Sequence, residues 1–129
     1  MKFLTQEFIQ AQKEKMLLEK ERILNNIQNF KQESRESGAE VYSDEADIAQ
    51  QYLASKVSIS LREKEHYILK EINLALQRIE DGSYGYCEES GEPIEQKRLE
   101  KQPWARLSLH HAELEELEAA RYHPHKRLA

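Results

Sequence analysis

Three acidic residues lie close together near the middle of the chain, in the run Ser43-Asp44-Glu45-Ala46-Asp47-Ile48-Ala49. Ser43 or Asp44 can cap the start of a helix, and carboxylates in a first turn interact favourably with the positive end of the helix dipole. That local role is one explanation of the acids. If the flanking helices pack antiparallel, however, the same carboxylates stand at the tip of a hairpin, where they can contact a partner. The sequence on either side therefore decides between these roles.

Residues 5–35 carry the repeat of a coiled-coil helix. The apolar residues that recur at every seventh position are Ile9, Met16, Ile23 and Phe30. Leu17, Leu24 and Ile27 widen this stripe. Neither Pro nor Gly interrupts this stretch, and a seven-residue apolar repeat is typical of a helix–helix seam. Lys13 and Lys20 fall where further seam residues are expected, so the repeat is imperfect.

A second long helix is predicted from about Asp44 to Glu80, with a less regular stretch at 55–60. Its expected inward positions are Ile48, Tyr52, Ile59, Ile68, Ile72, Ala75, Leu76 and Ile79. Between the two helices, residues 34–43 lack an apolar stripe, and Gly38 is a natural helix stop. A loop this short cannot return the chain across a helix of about 50 Å, so the sequence predicts an antiparallel hairpin.

The second helix is expected to end in the run 81–86, which contains two glycines. Beyond it, the residues expected to form a small apolar cluster are Tyr84, Tyr86, Ile94, Leu99, Trp104 and Leu107. A last helix is predicted from near Pro103 to about Tyr122, since Pro suits a first helical turn. One face of this helix is predicted to carry Leu107, His111, Leu114 and either Leu117 or Glu118.

These patterns predict a mainly α fold in three parts. Residues 1–80 form a helical hairpin with an acidic tip near 44–49, and residues 81–122 form a small globular domain with a C-terminal helix. Residues 123–129 are a basic tail that begins beside Pro124, and such tails are usually frayed, solvated ends.

Composition limits the functional classes. The 129 residues are 33% charged, with a net charge of −5, which argues against direct DNA binding. No apolar run approaches the ~18 residues of a membrane span, and a single cysteine makes no disulfide framework, so a cytoplasmic location is expected. The sequence has no Gly-rich phosphate loop and no nucleophile with an arranged base, and His110-His111 is explained as a solvated helix pair. An enzyme, and any catalytic residue, is therefore not expected.

The run Gly85-Tyr86-Cys87-Glu88-Glu89-Ser90-Gly91-Glu92-Pro93-Ile94, followed by Lys97-Arg98-Leu99-Glu100 and Pro103, resembles the zinc-finger region of the DksA/TraR family. The motif Asp44-x-x-Asp47-x-Ala49 is similar to the coiled-coil tip of that family. The resemblance extends from about residue 8 to residue 122. It implies a long antiparallel coiled coil joined to a small zinc-finger-like domain and a C-terminal helix.

The resemblance also implies a function. Family members insert the coiled coil into the secondary channel of RNA polymerase, rest the finger and C-terminal helix on its rim, and alter open-complex stability. The residues expected near the polymerase active site are Asp44, Asp47 and Ala49. A monomer is expected, because a hairpin closes its own seam.

Two other functions stay open. The hairpin can serve as a docking rod in a protein–protein adaptor, which would not retain polymerase on co-purification. Single-stranded nucleic acid can stack on Tyr84, Tyr86 and Trp104, although the sequence offers no basic groove for the backbone.

Two departures from the family pattern bear on its ligands. The four zinc-ligand positions are occupied by Cys87, Ser90, Ser108 and His111. Neutral serine hydroxyls are poor zinc donors, so this chain resembles the cysteine-poor branch of the family and is expected to bind no metal.

The second departure concerns guanosine tetraphosphate, the alarmone of the stringent response. The basic positions expected for this nucleotide fall on Glu71, Gln102 and Ala112. None of them pairs with a phosphate, so dependence on the alarmone is expected to be weak. The neighbouring basic residues that can substitute are Lys70, Lys101 and Arg106.

Overall fold

A computed structural model describes residues 4–37 and 44–122. The described chain folds into four helices, which are α1 (Gln6–Ser37), α2 (Glu45–Asp81), α3 (Gln96–Lys101) and α4 (Leu109–Tyr122). These residues contain no strand, and their one isolated antiparallel bridge joins Tyr86 and Pro93. The mainly α class and the two long helices are thus confirmed. The predicted stop at Gly38, the alternative cap Ser43 and the basic tail lie outside the described residues.

Local capping sets where the long helices begin and end. The Thr5 hydroxyl accepts a hydrogen bond from the Phe8 amide at 3.1 Å, and a carboxylate oxygen of Asp44 accepts one from the Ala46 amide at 3.1 Å. At the end of α2, Gly82 adopts a φ of 85°, which favours glycine. The amides of Ser83 and Tyr84 then both donate to the carbonyl of Arg78, at 3.0 and 3.2 Å, which closes the last turn.

The chain divides into two compact units, and both long helices contribute to each of them. Among the described residues, unit 1 contains 4–16 and 72–122, and unit 2 contains 17–37 and 44–71.

Unit 1 has a small, closely packed core. Its buried apolar residues are Leu4, Met16, Ile72, Ala75, Tyr84, Cys87, Ile94, Leu99, Ala105 and Leu107. The predicted cluster is therefore confirmed for four members, while Tyr86 and Trp104 are half-buried. Gln12, which is 1% exposed, donates to the Leu99 carbonyl at 2.5 Å, and the Tyr84 hydroxyl donates to the Pro103 carbonyl at 2.7 Å. These bonds attach the start of α1 to the segment around α3.

The prediction that the last helix begins near Pro103 is wrong. A six-residue helix, α3, precedes an irregular segment, and α4 begins only at Leu109. Ser108 explains this start, because its hydroxyl accepts from the His111 amide at 3.4 Å and its carbonyl accepts from the Ala112 amide at 2.9 Å. Side chains satisfy the irregular backbone before it: Arg98 donates to the Leu107 carbonyl at 2.9 Å and Arg78 to the Trp104 carbonyl at 3.3 Å.

In unit 2, the predicted inward face of α2 is wrong over its first half. Ile48, Tyr52 and Ile59 are 51%, 65% and 52% exposed. The half-buried residues of this stretch are instead Ser58, Arg62, Glu65, Ile68 and Leu69. Glu65 and Ser58 lie seven and fourteen residues before the buried Ile72, and Leu69 and Arg62 lie seven and fourteen residues before the half-buried Leu76. Except for Ile68, these residues therefore belong to one heptad repeat, which Ile79 continues.

The seam of unit 2 is consequently mixed in polarity. On α1, Ile23 and Ile27 are buried, whereas Leu17 and Leu24, which the heptad reading placed in the stripe, are each 45% exposed. From α2, Arg62 donates to the Asn26 carbonyl at 3.1 Å. The same guanidinium forms an ion pair with Glu65 at 2.8 Å and lies 5.4 Å from the centre of the Phe30 ring.

Candidate functional site

The three residues expected at the tip of the hairpin are all accessible to solvent. Asp44 directly precedes α2, Asp47 and Ala49 lie in its first two turns, and all three are exposed. Asp44 performs the capping role described above through one carboxylate oxygen. Capping and partner binding are compatible, because a carboxylate has two oxygens with several lone pairs. The tip assignment itself stays a prediction.

Cys87 lies in a tight turn between α2 and α3. Its amide donates to the Glu92 carbonyl at 2.8 Å, and its carbonyl accepts from the Gly91 amide at 2.8 Å. Gly91 has a φ of 73°, in the left-handed region that favours glycine. The Ile94 amide donates to the Gly85 carbonyl at 2.7 Å and closes the loop around the turn. Backbone hydrogen bonds thus define the shape of the turn, and the Ser90 hydroxyl adds to them by accepting from the Glu92 amide at 3.3 Å.

The sulfur of Cys87 is surrounded by hydrogen-bond donors although the side chain is only 2% exposed. Burial raises the pKa of this thiol, but the Ser90 hydroxyl and the amides of Ser108, Ser90 and Glu89 oppose burial by hydrogen bonding to the sulfur. Their combined effect lowers the pKa of Cys87 from 9.0 to about 6. The geometry thus favours a thiolate at neutral pH.

The four positions that correspond to zinc ligands are brought together by hydrogen bonds. Ser90 and the Ser108 backbone contact the Cys87 sulfur, and the Ser108 hydroxyl lies 3.1 Å from Nδ1 of His111. These groups do not fit a structural zinc ion, because only one thiolate and one imidazole are present and the hydroxyls bond to them instead. In the described ranges, no group of three or more His, Cys, Asp or Glu side chains is arranged to hold a metal ion.

A chain of ion pairs crosses the same part of unit 1. Arg106 contacts Glu88 at 3.3 Å and Glu115 at 2.5 Å, and Arg78 contacts Glu88 at 3.6 Å. The Glu88 amide also donates to the Arg106 carbonyl at 3.0 Å. Arg106 therefore joins the Cys87 turn to α4, and its two carboxylate partners raise its pKa against the effect of burial. The sequence offered no periodic signal for this role of Arg106.

Helix α4 contributes no residue to the buried core of the described chain. On the face predicted for it, Leu107 before the helix is buried and His111 is half-buried, but Leu114 and Leu117 are 45% and 55% exposed. An open groove of about 450 Å³ runs along this helix. It is lined by Glu89, His111, Leu114, Glu115, Leu117, Glu118 and Arg121.

The residues at the expected alarmone positions differ in exposure. Glu71 is 8% exposed in unit 2, whereas in unit 1 Gln102 is exposed and Ala112 is half-buried. None of these three side chains carries a positive charge for a phosphate group.

Comparison with known proteins places the chain in a family. The RNA polymerase-binding transcription factor DksA of Caulobacter vibrioides is 40% identical over 103 residues, which cover 75% of this chain and 68% of that protein. The chain belongs to the DksA/TraR family. The profile of the prokaryotic dksA/traR C4-type zinc finger matches residues 82–110. The resemblance read from the sequence is thereby confirmed, and this member carries one cysteine in the whole chain.

Two further similarities cover more of this DksA/TraR-family chain. An uncharacterised protein of Aquifex aeolicus is 34% identical over 123 residues, or 94% of this chain and 85% of the relative. The solved structure of transcription factor DksA2 from Pseudomonas aeruginosa superimposes with a TM-score of 0.73 at 29% identity, over 90% of this chain and 88% of that one. Within the described residues, no helix combines the length and apolar character that a membrane crossing requires.

Proposed function

We propose that this protein regulates transcription by binding RNA polymerase, with the start of α2 inserted in the secondary channel. The observation that carries this proposal is the 40% identity to a protein named as an RNA polymerase-binding transcription factor. The exposed acids Asp44 and Asp47 are the residues proposed to act near the polymerase active site. Their effect is a change in the stability of the open promoter complex, and they perform no chemistry themselves.

Electrostatics gives the tip acids a means of action. A carboxylate inside a narrow protein channel is screened less by water and salt than one in bulk solvent, so its interactions are stronger there. It can pair with basic groups of the channel or compete for hydrogen bonds made by a moving polymerase loop. Ala49, close to the acids on α2, adds little bulk where the channel is narrow.

Helix α4 supplies a second proposed contact, on the rim of the channel. Its leucines and the groove along it are open to solvent, although a helix of this composition normally buries one face. Contact with the polymerase surface would remove these leucines from water.

We also propose that the finger region works without zinc. The support is the donor set around Cys87, in which hydroxyl and amide groups occupy the sulfur that a metal would otherwise bind. The response to guanosine tetraphosphate is proposed to be weak, since Glu71, Gln102 and Ala112 lack positive charge.

The test of the tip is the double substitution Asp44→Asn with Asp47→Asn. We expect it to abolish the change in promoter-complex lifetime while polymerase affinity falls by less than about threefold, because amides retain size and capping ability. Glu21→Gln with Glu63→Gln is the matched control, because it removes two exposed carboxylates elsewhere on α1 and α2.

Full regulation by the tip variant would show that the acids act only as helix caps. Absence of polymerase binding by the unmodified protein would refute the proposed function and favour the adaptor. The same assay, with guanosine tetraphosphate titrated in and a polymerase that lacks other alarmone sites, tests the weak response. Strong synergy confined to complexes with this protein would contradict it.

A further inference from the structure

Residues 48–61 of α2, here called the neutral segment, contain a single charged residue, Lys56. This is unusual in a chain that is 33% charged. The segment carries two groups of large apolar side chains that are 50–65% exposed. The first stripe is Ile48, Tyr52 and Ile59, and the second stripe is Leu53, Val57 and Leu61.

The two stripes lie on opposite flanks of the helix. With about 100° between successive residues, the centres of the stripes are roughly 160° apart. Ser58, between them, is half-buried at the seam with α1. Apolar surface is thus presented on both sides of α2 and not on one docking face.

The seam beneath this surface is polar. Ser58, Arg62 and Glu65 occupy consecutive seam positions, and one nitrogen of Arg62 and one oxygen of Glu65 are buried without a hydrogen-bond partner. A stable coiled coil places apolar residues in the seam and polar ones outside, so unit 2 has the reverse arrangement here. The apolar side chains of the neutral segment therefore add little to the packing of the free protein.

We propose that uncharged, apolar walls of RNA polymerase contact the neutral segment on both flanks and supply much of the binding affinity. This inference rests on the proposed function. On α2, Leu53 is six residues beyond Asp47, a rise of about 9 Å, and Leu61 is fourteen beyond, a rise of about 21 Å. A channel that receives the acids at its far end and is about 20 Å deep therefore also receives the segment. Strongly charged walls would leave their charges desolvated against these side chains, which is costly.

A second copy of this chain is a poorer occupant of this surface. A two-fold contact between flat helix faces would bury one stripe and leave the other in water. Only a cleft or channel contacts both flanks at once, and this geometry favours an enclosing partner.

Two triple variants test the proposal, one for each stripe: Ile48→Ala, Tyr52→Ala, Ile59→Ala, and Leu53→Ala, Val57→Ala, Leu61→Ala. Alanine preserves helix propensity, so circular dichroism should change little. We expect each variant to bind purified bacterial core RNA polymerase about tenfold or more weakly than the unmodified protein. The matched control is Leu17→Ala, Leu18→Ala, Leu24→Ala, which truncates three leucines of α1 in the same unit, 45–67% exposed, with an expected loss below about twofold.

The outcomes separate this inference from the function on which it rests. If the unmodified protein binds polymerase and both stripe variants bind equally well, the apolar contact is refuted while the function stands. Loss from one stripe only would overturn contact on both flanks, and an equal loss in the α1 control would overturn the assignment to this segment. Sedimentation of a dimer that either stripe variant dissociates would instead make the surface a self-association site.

Discussion

At the scale of single residues, Cys87 shows how hydrogen bonds can hold a buried thiolate. Its sulfur is held by the Ser90 hydroxyl and by backbone amides, and these bonds stabilise the thiolate despite burial. Serine at position 90 thus takes part in the site as a hydrogen-bond donor. Ser90 and Cys87, two of the four positions expected for zinc ligands, are therefore joined by a hydrogen bond.

The stability of the protein should consequently depend on pH through Cys87. Because the folded-state pKa of about 6 lies below the ordinary value of 9.0, the stabilisation is fully present above pH 9.0 and is lost as the pH falls through about 6. The shift corresponds to at most about 4 kcal/mol. We expect Cys87→Ser to lower the free energy of unfolding at pH 9 and to leave it nearly unchanged at about pH 5.

The measurement is denaturant unfolding of the unmodified protein and of Cys87→Ser across this pH range, with a chelator present. The difference between their unfolding free energies at each pH reports on Cys87, because the other titrating groups are common to both proteins. A difference in unfolding free energy that does not vary with pH would mean that the thiol is protonated throughout.

At the scale of secondary-structure elements, α4 is attached to unit 1 by polar contacts and not by a buried apolar face. Arg106 pairs with Glu115 on α4 and with Glu88 in the Cys87 turn, and no residue of α4 is buried. In a zinc finger, the metal joins two such segments covalently. Here an arginine spans comparable parts of the chain through charge-assisted hydrogen bonds.

Arg106→Gln should therefore loosen α4. Because the partners are partly exposed, we expect a loss of about 1 kcal/mol in unfolding free energy, with faster amide hydrogen exchange in α4 than elsewhere. High salt should reduce the difference from the unmodified protein. Arg121→Gln, at an exposed position of the same helix, is the control. Equal exchange rates in α4 of the two variants would show that Arg106 does not hold the helix.

The elements differ in how far the sequence could predict them. The long helices were predicted to within two residues at each described end, because heptad spacing and the glycine at Gly82 are strong local signals. The start of α4 was misplaced because Pro103 and Ser108 both suit a helix start, and only the tertiary bonds of Arg98 and Arg78 explain the irregular segment between them. No local signal distinguishes these candidates.

The inward face of α2 was misread for a different reason. Ile48, Tyr52 and Ile59 have helical spacing, and apolar residues at this spacing usually predict a buried face. Counting in sevens back from Ile72 and Leu76 would have placed Ser58 and Arg62 in the seam instead. The heptad positions of the seam can therefore be counted from the sequence, but Ser58 and Arg62 are polar and so do not continue an apolar pattern. The ion pairs of Arg106 and the donors around Cys87 depend on tertiary contacts that no spacing reveals.

At the scale of the whole molecule, the proposed activity is distributed along the chain. Acidic side chains, an uncharged apolar stretch and an exposed C-terminal helix follow one another, and each offers a different contact chemistry. A regulator of this kind depends on the folding of unit 1 for stability and on its exposed residues for activity.

Regulation should therefore survive metal removal and mild oxidation. Unit 1 is closed by its buried cluster, by the bonds of Gln12 and Tyr84, and by Arg106. We expect treatment with a strong chelator, or with peroxide, to change promoter-complex lifetimes by less than about twofold, whereas loss of a structural zinc typically unfolds a small finger. Serine is not oxidised as a thiolate is, and the one thiolate is buried. Cys87→Ser is the matched control, because it removes the one thiol and should still regulate normally at temperatures below the onset of its unfolding. Metal analysis of the purified protein completes the test, because near-stoichiometric zinc or a large loss of stability on chelation would establish Cys87 and His111 as metal ligands.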